Sequence, residues 1–140
     1  MTDREPSPAG ATKLAGNPQS MVTATERGWP GHYIMGHRCV FHRNTLLECG
    51  DEKIIVSTVG HKLLNNDKED EIAAGTYYET MAFQAKLEDG YLEADIEHEI
   101  VFESEWKIGK IDHFSDARAN EMHEVVIREL SGKMMLRRKP

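Results

Sequence analysis

Asp89-Gly90 constrains this chain more than any other pair of residues in it. A two-residue loop of this composition favours a type I′ turn, which joins two antiparallel strands. Tyr77–Glu88 and Tyr91–Glu103 on either side have strand composition. A two-residue loop sets Leu87 opposite Leu92, Ala85 opposite Ala94, Phe83 opposite Ile96 and Tyr77 opposite Phe102. The other side then carries Lys86 with Glu93, Gln84 with Asp95, Ala82 with Glu97 and Thr80 with Glu99. The sequence thus predicts an apolar face, a polar face and no directly opposed like charges. A slip of one residue would destroy that sorting.

A second hairpin precedes it. Cys39–Glu48 and Lys53–Val59 flank Cys49-Gly50-Asp51-Glu52, and Gly-Asp is a turn signal. Pairing Glu48 with Lys53 sets Leu47 opposite Ile54 and Thr45 opposite Val56. Ile54-Ile55-Val56 is apolar on both faces, as a central strand would be. His32–Met35, after the turn-rich Gly28-Trp29-Pro30-Gly31, reads as a short first strand, and Trp106–Phe114 holds a short last one. From Asp116 the period becomes helical, with Met122, Val125, Val126, Leu130 and Met134 on one stripe. Ser115 or Asp116 suits the N-cap, and Gly132 suits a stop. The expected fold class is α+β: a bent antiparallel sheet, or half-open barrel, of about 5–6 strands with one C-terminal helix.

Residues 1–25, rich in Pro, Gly, Ser, Thr and Ala, read as a disordered tail. Met21 within it offers a second translation start. Residues 26–132 then form a single domain, His61–Thr76 an exposed loop, and residues 133–140 a solvated basic tail.

Composition narrows the function classes. The 140 residues include 24 acidic and 17 basic groups, for a net charge of -7. Acidity of this kind opposes broad phosphate-backbone binding, so nucleic acid is not an expected partner. No run of apolar residues approaches a membrane span, and no basic-then-apolar leader opens the chain. Cys39 and Cys49 are too few for a disulfide scaffold. On one strand they would stand about 33 Å apart, so reduced thiols are expected.

Three side-chain groupings suggest chemistry. The hairpin register puts His98 opposite Met81, with Glu79 as its diagonal neighbour. A carboxylate beside an imidazole is the arrangement of an acid/base pair. Against it stands an ordinary sheet margin, with no nucleophile nearby in sequence. The second grouping is His32, His37, Cys39 and His42, with Cys49 and His61 further on. These are zinc-ligand types, but the spacing matches no finger or ribbon: His37 and Cys39 share one strand face, while His42 and His61 are diagonal neighbours on the other. His123-Glu124-Val125-Val126-Ile127 lacks the second histidine of a zincin helix. No metal and no cofactor is therefore expected.

The third grouping is Glu93, Asp95, Glu97 and Glu99, which alternate and so project from one strand face. Residues 1–65 carry a net +1 and residues 66–140 a net -8. A row of carboxylates can attract a basic protein partner, though it is equally an ordinary solvated face. Basic residues near Trp29, Tyr33 and Phe41 are too interrupted by acids to suggest single-stranded nucleic acid.

Three stretches carry a resemblance: Glu26-Arg27-Gly28-Trp29-Pro30-Gly31-His32-Tyr33, Arg43-Asn44-Thr45-Leu46-Leu47-Glu48 and Tyr77-Tyr78-Glu79-Thr80-Met81-Ala82-Phe83. Together they resemble small uncharacterised proteins of bacteriophages and prophages. That resemblance covers residues 26–131 and implies a bacterial cytoplasm and an accessory role, acting by binding a host or viral protein. It implies no activity and assigns no site residue. The sequence thus points first to a binding protein using its acidic strand face. An enzyme or ligand-binding barrel using Glu79 and His98 stands second, and a structural or homo-oligomeric component third.

Overall fold

A computed structural model describes residues 11–13, 21–27, 39–63 and 69–138. Its strands are β1 (Ala11–Lys13), β2 (Thr23–Glu26), β3 (Cys39–Cys49), β4 (Glu52–Leu63), β5 (Glu69–Asp70), β6 (Tyr78–Glu88), β7 (Tyr91–Ile100) and β8 (Lys107–Ile108). One helix, α1 (Ser115–Arg138), follows. Every pairing is antiparallel, in the order β1-β2-β3-β4-β6-β7, with β5 added to β4 and β8 to β6. The fold class is α+β, as the sequence indicates, and the sheet is not closed. The expected strand at His32–Met35 lies outside the described residues, as do His32 and His37.

The β3–β4 register is the one the sequence predicts: Glu48 faces Lys53, Leu47 faces Ile54 and Thr45 faces Val56. Gly50 turns this hairpin with a φ of 64°, which suits glycine at the first central position of a type II′ turn. Asp89 and Gly90 both have positive φ, as type I′ requires.

The sheet curls. Arg27, just after β2, donates through Nη2 to the carbonyl oxygen of Leu92 in β7 at 2.7 Å. Four strand spacings separate β2 from β7 in the sheet order. In a flat sheet that would be roughly 19 Å, beyond any arginine side chain.

The helix packs on the face formed by Phe41, Thr45, Leu47 and Cys49 of β3, Ile54, Val56 and Thr58 of β4, and Tyr78, Thr80 and Ala82 of β6. Its own stripe is Ala119, Met122, His123, Val126, Ile127, Leu130, Ser131 and Met134. Each fully buried Leu, Ile, Val or Met here contributes about 1.5–3 kcal/mol. Ser115 starts the helix: its Oγ accepts from the Asp112 N–H at 2.7 Å. Glu129 pins the turn after β7 to the helix, accepting from the Glu103 and Ser104 N–H groups, the Ser104 hydroxyl and Lys133. Burial alone would raise its pKa, yet these donors hold it at about 2.

Four expectations need correction. Residues 1–25 are not all tail: Ala11–Lys13 and Thr23–Glu26 are strands, and Val22 is buried in the core. Valine and alanine at alternate positions are enough apolar surface for β2 to join β3. The region from His61 begins as strand, because β4 runs to Leu63 and β5 pairs with it. The helix runs through Gly132 to Arg138, so residues 133–138 belong to the domain. Met134 is fully buried beside Leu47 and Cys49, which offsets the ~1 kcal/mol cost of a helical glycine. A Cβ on Gly132 would meet nothing within 4 Å. Gly132→Ala should therefore raise unfolding free energy by about 0.5–1 kcal/mol in urea denaturation; a loss would mean the helix end needs the glycine.

The fourth correction concerns the β6–β7 register. Glu88–Tyr91, Leu87–Leu92, Lys86–Glu93 and Ala85–Ala94 pair as predicted. Beyond Ala85 the register shifts: Phe83 faces Glu99 rather than Ile96, and Ala82 faces Ile100 rather than Glu97. Gln84 is thus opposed by residues 95–98 in a bulge. Asp95 organises the bulge, accepting from the Glu97 N–H at 3.2 Å and pairing with His98 Nδ1 at 2.7 Å. The physical reason lies under the helix. Thr80 and Ala82, placed on the polar face by the sequence pattern, are in fact covered by α1. The regular register would bury Glu97 and Glu99 there. The bulge brings apolar Ile100 instead, which packs against the core.

Candidate functional site

The predicted Glu79/His98 pair is not assembled. Glu79 faces Val59 on one side and Lys107 of β8 on the other, while His98 sits in the bulge with Nδ1 on Asp95. His98 faces no β6 residue at Met81, so the diagonal relation disappears with the register. Of the histidine grouping, His42 and His61 keep their diagonal relation on β4's flank, where His42 Nε2 donates to the Cys39 carbonyl at 2.9 Å. Cys39 and Cys49 are buried and are not bridged to one another.

Glu93, Asp95, Glu97 and Glu99 do not form one row. Glu93 shares a face with Lys86, whereas Glu99 lies opposite Phe83 on the other face. They remain at the surface, with Asp95 half-buried and the other three exposed. What the hairpin does present is an arm. Leu87, Tyr91 and Ile96 are each more than 70% exposed, which for large apolar side chains on one hairpin is unusual. Residues 84–105 hold eight carboxylates and one lysine, so this stretch alone equals the chain's net charge of -7.

A different constellation lies beneath the helix. His123 is fully buried, and both ring nitrogens are engaged. Nε2 is 2.8 Å from Thr45 Oγ1, and Nδ1 is 2.7 Å from Thr58 Oγ1. Thr58 Oγ1 is 2.6 Å from Thr80 Oγ1. At the other end Thr45 Oγ1 donates to Glu26 Oε1 at 2.8 Å. Glu26 also accepts from Arg43 Nη2 at 2.6 Å, and Arg43 Nη1 pairs with Glu124 at 2.8 Å. The row therefore crosses β2, β3, β4 and β6 under one turn of helix. The register explains it: Thr58 pairs with Arg43 on one side and Thr80 on the other. Thr45 and Thr58 lie on adjacent strands, so one imidazole can bridge them.

Burial pushes the His123 pKa down to about 3, aided by the Arg43 charge and opposed by Glu26. Burial works to raise the Glu26 pKa, but bonds from Arg43 and Thr45 leave it below the ordinary value. Arg43 is likewise depressed by burial yet held above its ordinary value by Glu26 and Glu124. At neutral pH the ring is thus neutral and the carboxylate ionised. An open depression of ≈ 540 Å³, lined by Arg43, Ala117, Asn120, Glu121, Glu124 and Arg128, lies at this ionic end.

As it stands the row holds the helix and is closed to chemistry. The three threonines and His123 are at most 2% exposed, so no substrate reaches them. Sequence reasoning passes over His123, which reads as a broken zincin motif. Its spacing of four from Ala119 and Ile127 places it on the buried stripe. A threonine at an inward position on each of three neighbouring strands is the second available signal.

No protein-family model, curated protein or solved structure matches this chain.

Proposed function

We propose that this chain is a binding protein that uses the β6–β7 arm to hold an extended, basic and apolar segment of a protein partner. The observation that carries the reading is the combination on one hairpin of exposed Leu87, Tyr91 and Ile96 with six carboxylates and one lysine over residues 84–100. Apolar side chains supply contact area, and the carboxylates select a partner of opposite sign.

The partner meets side chains rather than adding a strand. Arg27 already occupies the Leu92 carbonyl, and the bulge at 95–98 breaks the edge, two devices that oppose edge pairing. Ala85, Leu87, Leu92 and Ala94 share one face, which continues the buried face bearing Phe83 out to the exposed tip. A second copy of the chain is a poor occupant, since two such arms would oppose six carboxylates with six.

The test is calorimetric titration with a synthetic peptide of alternating lysine and valine, and with an all-lysine peptide of equal charge. The alternating peptide should bind more tightly. Glu97→Lys with Glu99→Lys should weaken it about tenfold or more, and Leu87→Ser about fivefold, with circular dichroism unchanged. Equal binding of both peptides, or self-association in place of binding, would overturn the reading.

A further inference from the structure

We infer that Glu26 sets the tautomer of His123 by acting through Thr45, so that a surface ion pair fixes the direction of a hydrogen-bonded row running to Thr80. The groups facing the ring are Thr45 and Arg43 from β3, Thr58 from β4, Glu26 from β2 and, on its own helix, Glu124.

The direction follows from counting protons. An ionised carboxylate only accepts, so the single Thr45 hydroxyl proton goes to Glu26 Oε1 at 2.8 Å. Thr45 Oγ1 can then only accept from the ring, and His123 must carry its proton on Nε2. A neutral imidazole has one N–H, so Nδ1 is the acceptor and Thr58 donates to it. Thr58 has no second proton, so Thr80 donates to Thr58. Each bond of the row is settled by the one before it, starting from a carboxylate that does not touch the ring. Arg43, which holds that carboxylate with a bidentate guanidinium, also lines the open depression. Whatever protonates Glu26, or draws Arg43 away from it, is transmitted to a ring that solvent does not reach. Glu26 is a positioning residue, and the row is a device that couples surface ionisation to the buried interface.

Long-range ring ¹⁵N–¹H correlation spectra of uniformly labelled protein at pH 7 test this. The His123 signals are those lost in His123→Gln. The wild type should show the Nε2–H tautomer in about tenfold excess or more, the scale of one charge-assisted bond. Thr45→Val should move the ring proton to Nδ1, with Thr58 turning to accept it. Thr45→Ser should keep the wild-type ratio. Glu26→Leu, which leaves Thr45 free to donate or accept, should bring the two tautomers within a few-fold of each other. An Nδ1–H wild-type ring, or an Nε2–H ring unchanged in both Thr45→Val and Glu26→Leu, would overturn the inference.

Discussion

His123→Ala should lower unfolding free energy by about 3–5 kcal/mol at pH 7, measured by urea denaturation. Two effects add. The ring leaves a cavity between helix and sheet, where Val126 and Ala119 are both fully buried and cannot easily move inward. Thr45 and Thr58 each lose a partner while remaining at most 2% exposed. Each such loss costs about 1–3 kcal/mol. Against a typical total of ~5–15 kcal/mol, the variant would be marginal. The loss should be shared within the row: Thr58→Val alone should cost less, and the double variant less than the sum. A cost under ~1 kcal/mol for His123→Ala would mean that the ring does not seat the helix.

Acid should destabilise the protein well before its carboxylates are protonated. His123 has an ordinary pKa of 6.5 when unfolded and about 3 when folded. The folded state therefore binds fewer protons between those values, which is the reverse of a histidine stabilised by a carboxylate. Its contribution is complete above pH 6.5 and is lost as pH falls toward 3. One such group costs about 1.4 kcal/mol per pH unit, or roughly 2.5 kcal/mol between pH 7 and pH 4.5. Glu26 and Glu129, both lowered from 4.5, add losses of the same sign only below that pH. His42, also lowered from 6.5 by burial, contributes with the same sign as pH falls below 6.5. Comparison with a variant lacking only His123 separates the two.

Local signals carried the hairpins. Asp89-Gly90 and Gly50-Asp51 fix their turns through backbone φ, and the strand pairs nearest each turn follow directly. The β6–β7 register failed beyond Ala85 because its cause is not local. Which face of β6 the helix covers is a tertiary fact, and alternation alone placed Ala82 and Thr80 on the wet side. Once the helix lies there, two carboxylates cannot follow, and the bulge is the consequence. The same tertiary cause separates the candidate groups. Glu79 with His98, and the row from Glu93 to Glu99, both require an unbroken ladder, which the bulge interrupts. Gly132 reads as a stop because helix signals are local, whereas the burial of Met134 beside Leu47 is not. The His123 row needed three strand registers and a helix phase at once.

The most direct measurement of the central claim, that a neutral buried His123 seats α1 on the sheet, is the unfolding free energy of wild type and His123→Leu from pH 7 to pH 4.5. Leucine fills the space and cannot titrate. The wild type should lose roughly 2.5 kcal/mol more than the variant across that range. Parallel pH profiles for the two proteins would contradict the claim.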